Sequence, residues 1–370
     1  MFLVKAWYNK AGWLILLWPL STLFSWLAGR RRLRQEVTQQ QAALPVIVVG
    51  NIAVGGTGKT PLVLALSNAL HERGITAGIL SRGYGGRAAQ YPFAVTPDSD
   101  VASTGDEARL LRRYSHGPMV VDPQRSRGLQ ALVDGGRCDV VISDDGLQHY
   151  RLWRDIEIVV VDGARGLGNG WCLPAGPLRE PPTRLKDVDY VVINGANKVL
   201  SENELSAGET PVSTMRLVPE YWVNVKTGAR VELQALALCF PSQPSSPSEP
   251  DRENVHALAG IGNPQRFFAT LQELGIQAQC HAYDDHHIYS AVELAYAHDK
   301  VLLMTEKDAV KCEKFAGDHW WYLVVSAELD HAFSEAFCDQ VAHTLALRRQ
   351  ATNNRQPTLT SRRQDISQQQ

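Results

Sequence analysis

No two cysteines of this 370-residue chain form a CxxC pair; the six (Cys138, Cys172, Cys239, Cys280, Cys312, Cys338) are scattered along it. That excludes a zinc ribbon, argues against a disulfide framework and fits a reducing compartment. Surplus positive charge is missing too. The 37 Lys and Arg against 39 Asp and Glu leave a formal net charge of −2, so no global basic field points to nucleic acid. Charge is absent altogether from Ala11 to Gly29, a run that carries Trp13, Trp18 and Trp26 and ends at Arg30, Arg31, Arg32 and Arg34. A helix of that length would reach roughly 28 Å at ~1.5 Å per residue, about one hydrocarbon core. Pro19 and the polar Ser21, Thr22 and Ser25 weaken a clean span. An interfacial helix, with indoles at headgroup depth and arginines on anionic lipid, fits as well, as does a soluble core helix. The basic residues follow the apolar run, the reverse of a secretory signal peptide. In either membrane reading the positive-inside rule puts everything after Arg34 in the cytoplasm.

What is there, from residue 46 on, is strand–loop–helix alternation. Val46–Val49, Ile75–Leu80, Pro118–Val121, Val140–Ile142, Ile156–Val161 and Tyr190–Ile193 are short apolar runs separated by helical windows. Such runs imply a mostly parallel sheet covered on both faces. Pro61–Glu72 reads as a helix stopped by Gly74. Val212–Arg216 and Tyr221–Val225, with Lys226-Thr227-Gly228 at a turn, suggest a hairpin. Pro241–Pro250 (PSQPSSPSEP) is a Pro/Ser-rich linker, and a second α/β segment follows: strands at His256–Ile261, Val301–Met304 and Trp321–Val325, and a helix near Pro264–Leu274. From Arg349 a polar tail is expected to be disordered. No internal repeat is visible.

The stretch VIVVGNIAVGGTGKTPLVLAL (46–66) runs strand, glycine-rich loop, helix. Small residues let consecutive backbone N–H groups converge on phosphate oxygens, and the helix adds its positive dipole end. The cradle comprises Ala53, Val54, Gly55, Gly56, Thr57, Gly58, Lys59 and Thr60. Lys59 would reach the β- and γ-phosphates, and the Thr60 hydroxyl would ligate Mg²⁺. Ala53 stands where the usual pattern has its first glycine, which alanine tolerates unless φ must be positive there. Partition-type ATPases carry a lysine early in this loop, where this chain has Val54. GTPases carry Asn-Lys-x-Asp after a late strand, and the nearest match, Asn197-Lys198-Val199-Leu200, lacks the aspartate.

Other local clusters carry the remaining chemistry. Asp144 and Asp145 follow the strand Val140–Ile142, where a Mg²⁺ ligand belongs beside the phosphate loop. Asp106 and Glu107, after a glycine at the start of a helical window, are either a helix cap or a catalytic base. Arg125 and Arg127 either pair with phosphate or form a solvated face. His286 and His287, beside Asp284 and Asp285, have no matching ligand group nearby, so a positioning role or simple exposure fits better than a metal site.

The ordered set SRGYGG (81–86), GDEARLL (105–111), DPQRSRG (122–128), SDDGLQHYRL (143–152), LPAGPLRE (173–180), AGIGNPQRFF (259–268), YDDHHIY (283–289) and TEKDAVK (305–311), with VGGTGKTP, resembles the tetraacyldisaccharide 4'-kinase family of Gram-negative bacteria. The likeness runs from the apolar N-terminus to about residue 345. It implies transfer of the γ-phosphate of ATP, with Mg²⁺, to the 4'-hydroxyl of an acylated glucosamine disaccharide 1-phosphate in lipid A biosynthesis. It also implies work at the cytoplasmic face of the inner membrane, with no obligate protein partner evident. The implied fold is α/β: a P-loop-type αβα domain with a mostly parallel sheet, a smaller αβα C-terminal domain joined by a β-hairpin linker, and an N-terminal membrane-associated helix. The chain then divides at 1–34 (helix and basic flank), 35–210 (kinase domain), 211–254 (linker), 255–348 (C-terminal domain) and 349–370 (tail). By motif matching, Asp106 orients the 4'-hydroxyl with His286 as its partner and His287 as the competitor. Asp144, Asp145, Gln148 and Glu180 would organise Mg²⁺ and nucleotide, and Arg125 would contact phosphate. The alternative function is a membrane-associated P-loop ATPase or regulatory switch.

Overall fold

β-Branched residues fill strand β1 (Val46–Gly50), and all five of its residues are buried, as a central parallel strand covered on both faces requires. It belongs to a mixed sheet in a computed structural model that describes residues 2–197, 210–239 and 255–355. Residues 198–200 of the rejected guanine-motif match, the Pro/Ser-rich stretch 241–250 and residues 356–370 lie outside the described residues. The strands that follow are β2 (Ala77–Ser81), β3 (Phe93–Ala94), β4 (Met119–Val121), β5 (Val140–Asp144), β6 (Ile156–Asp162) and β7 (Tyr190–Asn194). Then come β8 (Val212–Asn224), β9 (Arg230–Glu232), β10 (Val255–Ala259), β11 (Gln279–Ala282), β12 (Val301–Thr305) and β13 (Trp320–Leu329). Their order across the sheet is β11-β10-β12-β13-β8-β7-β6-β1-β5-β2-β4-β3, with β9 on β8. The pairs β13–β8, β3–β4 and β8–β9 are antiparallel and the rest parallel. The fold is thus the α/β architecture expected, with β1 between β5 and β6 so that Val49 lies opposite Asp144.

The structure redraws the centre of the sheet. The two strands expected at Val212–Arg216 and Tyr221–Val225 are one 13-residue strand, β8. Pro219 sits inside it where the β8–β13 register shifts at Val324/Val325, because a strand tolerates a missing N–H at an irregularity. The turn at Lys226–Gly228 is present and leads into the short β9. The long ribbon that joins the two parallel runs, however, pairs β8 with the distant β13. The terminal helix His331–Arg355 also runs past Arg349, where the polar tail was expected to begin.

The apolar N-terminus forms a helix Phe2–Tyr8, a 3-10 turn Gly12–Leu17 and a helix Trp18–Glu36 that contains the arginines Arg30 to Arg34 within it. Pro19 lies in the first turn of that helix, where its missing N–H breaks no hydrogen bond. One side is fastened to the body: Ser21 Oγ donates to the Cys172 carbonyl at 2.7 Å and Trp7 Nε1 to the Pro174 carbonyl at 3.0 Å. Arg32 pairs with Asp187 at 3.1 Å. The other side leaves Leu16, Trp18, Leu20, Leu23, Trp26 and Leu27 exposed. By length and composition, Gly12–Glu36 is long and apolar enough to cross a membrane.

Candidate active site

The loop after β1 is shaped by φ-positive glycines at Gly55 and Gly58, whereas Ala53 is not among the residues with positive φ. That is why alanine is accepted there. Ala53 bridges to Leu178, and Val54 N donates to the Pro177 carbonyl at 2.9 Å. Asn51 Nδ2 reaches the Gly55 carbonyl at 3.2 Å, and Asn194 Nδ2 the Thr57 carbonyl at 2.8 Å, so side chains at the ends of β1 and β7 hold the loop's carbonyls. Gly56 packs backbone to backbone on Gly262, since a Cβ on Gly56 would stand 3.2 Å from Gly262 N. The helix Lys59–Glu72 starts at the loop's end, buries Leu62, Val63, Leu66 and Leu70, and places Lys59 and Thr60 in its first turn. Lys59 Nζ lies 3.5 Å from Asp145 Oδ1, which Arg179 also approaches at 3.4 Å.

The two carboxylates at the end of β5 are held differently. Burial would raise the pKa of Asp145, but Lys59, Arg179 and Arg125 outweigh it and keep the carboxyl below its ordinary value. Asp144 is 1% exposed, and its Oδ1 has no hydrogen-bond partner. Burial, then the charges of Glu107 and Asp145, push it up to about 7 against the pull of Lys59 and Arg125. An orphaned oxygen on a carboxylate, the hard donor such an ion takes, fits a hard divalent cation. Mg²⁺ characteristically takes one or two carboxylates and fills the rest with phosphate and water. Among the described residues, no group of three His, Cys, Asp or Glu side chains forms a protein-only metal cage.

Three further residues expected at the site make contacts within the protein. Glu180 is buried with both oxygens engaged, Oε1 accepting from Gln148 Nε2 at 2.8 Å and Oε2 from the Tyr150 hydroxyl, with Arg184 at 3.4 Å. Gln148 also donates to the Asn51 carbonyl at 3.1 Å and accepts from Arg179 at 3.3 Å. These two brace the entry of the loop. Arg125, 3% exposed, donates to the main-chain carbonyls of Asp144 at 2.8 Å and Asp122 at 3.4 Å. Burial pulls its pKa down to about 10. It lies behind the carboxylate pair, and Arg127 pairs with Asp122 at 2.7 Å.

On the other wall, Asp106 is the first residue of the helix Asp106–Tyr114, whose N-cap is Gly105 and which has no side-chain cap, so the capping reading does not hold. Its Oδ1 accepts from the neighbouring Glu107 N at 2.9 Å, while Oδ2 meets His286 Nδ1 at 3.2 Å. Burial would raise its pKa, but His286, Lys307 and Lys311 together hold it below the ordinary value. His287 turns away and bonds Glu293 at 2.9 Å, so His286 is the partner. Gly105 is required here, because a Cβ on it would strike the Tyr84 carbonyl of the SRGYGG loop. Tyr84 in turn lies against the His286 ring, centroids 4.5 Å apart. Glu107 is close enough for its charge to act on Asp144, so the two clusters lie near each other.

Lys307 and Lys311, both within TEKDAVK, carry no role in the sequence pattern alone. They stand four residues apart on the helix Glu306–Cys312, hence on one face. Lys307 bonds Glu107 at 2.9 Å, and Lys311 lies 3.7 Å from Asp106. Their i, i+4 spacing was the available signal. Arg165, whose NH1 would lie 3.7 Å from a Cβ on Gly55, and Asn194 carried none.

The chain is similar to known proteins over most of its length. The family profile described as Tetraacyldisaccharide-1-P 4'-kinase matches residues 13–342. A Pseudomonas aeruginosa protein named tetraacyldisaccharide 4'-kinase is 46% identical over 347 residues, 93% of this chain and 98% of its own length. One of the same name from Actinobacillus succinogenes is 44% identical over 341 residues, 90% of this chain and 97% of its own. A crystal structure described as the "apo" form of LpxK from Aquifex aeolicus in complex with ATP covers 89% of this chain and 98% of that one, with a TM-score of 0.66. At 24% identity it shows the shared fold.

Proposed function

Because the chain belongs to the tetraacyldisaccharide-1-P 4'-kinase family, it phosphorylates the 4'-hydroxyl of a tetraacylated disaccharide 1-phosphate in lipid A biosynthesis, and we propose that Asp106, seated by His286, aligns that hydroxyl. The observation that carries this reading is the 3.2 Å Asp106–His286 pair, next to Glu107, whose charge acts on Asp144. ATP is the proposed donor, its phosphates cradled by Gly55–Thr60 with Lys59 on the β- and γ-phosphates. A bound Mg²⁺ would neutralise charge on the transferring group, held by the Thr60 hydroxyl and the Asp144–Asp145 pair.

Phosphoryl transfer passes through a loose transition state, so positioning and charge carry most of the work. Asp106 is ionised at neutral pH and is a weak base for an alcohol. It therefore orients the hydroxyl and takes its proton late, with His286 holding the carboxylate in place. Arg125 acts through the carbonyls and charge of the Asp144 turn, behind the reacting atoms. The substrate's acyl chains stay in a bilayer, so we place the chain at the cytoplasmic face of the inner membrane, the exposed side of Gly12–Glu36 in the interface.

The test is turnover with labelled ATP, magnesium and disaccharide 1-phosphate. Label should appear on the lipid; label on water alone would instead favour an ATPase switch. Asp106→Ala should lower kcat by about 10²-fold with nucleotide binding intact, and near-normal turnover there would remove the role.

A further inference from the structure

The TEKDAVK helix brings a cation to the Asp106–His286 pair, and the chemistry above gives it no task. Lys307 Nζ lies 2.9 Å from Glu107 Oε1, 3.1 Å from Asp285 Oδ1 and 3.4 Å from His286 Nε2, and its side chain is 15% exposed. Burial would lower its pKa, but Glu107, Asp285 and Asp106 reverse that and hold it above the ordinary lysine value. An ammonium has three hydrogens to donate and no lone pair. The ring nitrogen it faces must present a lone pair, because a hydrogen on Nε2 would point at a cation. The imidazole hydrogen then sits on Nδ1, which faces Asp106 Oδ2. Asp285 Oδ1 also approaches Nε2, but at 3.8 Å it is beyond hydrogen-bond distance and already accepts from Lys307. Tyr84 packs on the ring at 4.5 Å between centroids.

We propose that Lys307 is a positioning residue for the transfer: it holds His286 in its neutral Nδ1–H form, so that the ring donates to Asp106. With Oδ2 accepting from the ring and Oδ1 from Glu107 N, the carboxylate is held against rotation. In the opposite tautomer the Nδ1 lone pair would face the carboxylate and push it out of line. This rests on the reading of Asp106 as the group that aligns the hydroxyl.

The experiment is nitrogen NMR of the full-length protein, labelled at histidine and held in detergent micelles, with the His286 signals assigned by their loss in His286→Asn. In the unsubstituted protein Nε2 should resonate as a bare ring nitrogen and Nδ1 as a protonated one. In Lys307→Met, Nε2 should gain a hydrogen, and kcat should fall about 10-fold with the KM for ATP unchanged. In Asp106→Ala, with the carboxylate gone and Lys307 present, Nε2 should stay bare. A protonated Nε2 in Asp106→Ala, or an unchanged one in Lys307→Met, overturns the proposal. The Asp106→Ala arm leaves Lys307 in place, so a folding defect in Lys307→Met does not blunt the test. Near-normal turnover of Asp106→Ala would sink the reading of Asp106 whichever form the ring takes, so the two failures are told apart.

Discussion

At the scale of single residues, Asp144 is the group whose placement opposes folding most directly. Its carboxyl is buried with one oxygen unpartnered, and its pKa rises to about 7. In the unfolded chain it ionises near ~4. Below that value both states are protonated and nothing is lost. As pH rises from there toward 7, the unfolded state gives up a proton that the folded state keeps, so stability falls and then levels off. The loss amounts to about 3 to 4 kcal/mol by neutral pH. Asp144→Asn should therefore be more stable than the unsubstituted protein at pH 8 by an amount of that order and nearly equal at pH 4, read by denaturant unfolding without nucleotide. A difference that does not change with pH would contradict the buried-acid account. Saturating Mg·ATP should raise the stability of the unsubstituted protein at pH 8 more than that of Asp144→Asn, which lacks the charge for the metal. The sequence showed Asp144 and Asp145 at a strand end, but not that Glu180 is already satisfied by Tyr150 and Gln148. Motif spacing places a carboxylate near a site. Which hydrogen bonds occupy it depends on chain far away in sequence. The same limit left His286 and His287 open until Glu293 was seen to take one of them.

At the scale of elements, the phosphate loop is held on two sides. The Asn51 and Asn194 side chains fix its carbonyls, and the turn after β10 meets it at Gly262. A Cβ on Gly262 would collide with the backbone nitrogen of Gly56, and backbone cannot swing aside as a side chain can. Gly262→Ala must push the two loops apart. Because Gly56 belongs to the cradle, the expected effect is a KM for ATP raised about 10-fold, the equivalent of ~1.4 kcal/mol, while the melting temperature changes little. An unchanged KM would mean the contact does not shape the loop. The strand–loop–helix of this element was legible because its glycines, Lys59 and Thr60 each answer a local need. Its Gly262 neighbour was not, since nothing local in AGIGNPQRFF says which loop it will touch. β8 shows the complementary failure: two strands were expected at Val212–Arg216 and Tyr221–Val225, and only the register shift opposite Pro219 shows how one strand spans both.

At the scale of the whole molecule, the parallel halves of the sheet were readable from their apolar runs, whereas their join by β8 and β13 rests on a long-range antiparallel pairing that no local pattern encodes. The N-terminal segment was legible as apolar and helical. Its orientation comes from its fastenings. Ser21 to Cys172, Arg32 to Asp187 and Arg32 over the Tyr150 ring at 5.5 Å tie the helix to the body along its length. At the membrane surface proposed above, a helix so tied would present its outer side to lipid without leaving the protein, which favours lying in the interface over spanning it. Deleting the segment would also uncover the core that Ser21, Trp7 and Val54 help close, so substitution on the outer side is the cleaner test. Leu20, Leu23 and Leu27 are each more than half exposed, and changing all three to Gln leaves the fastened side untouched. Each leucine buried in lipid stabilises docking by ~1.5 kcal/mol or more. The triple variant should then lose at least about 10-fold in activity on substrate in vesicles, while activity on detergent-dispersed substrate stays within about twofold. Equal losses in both would place the defect in the catalytic body and remove the helix from membrane docking.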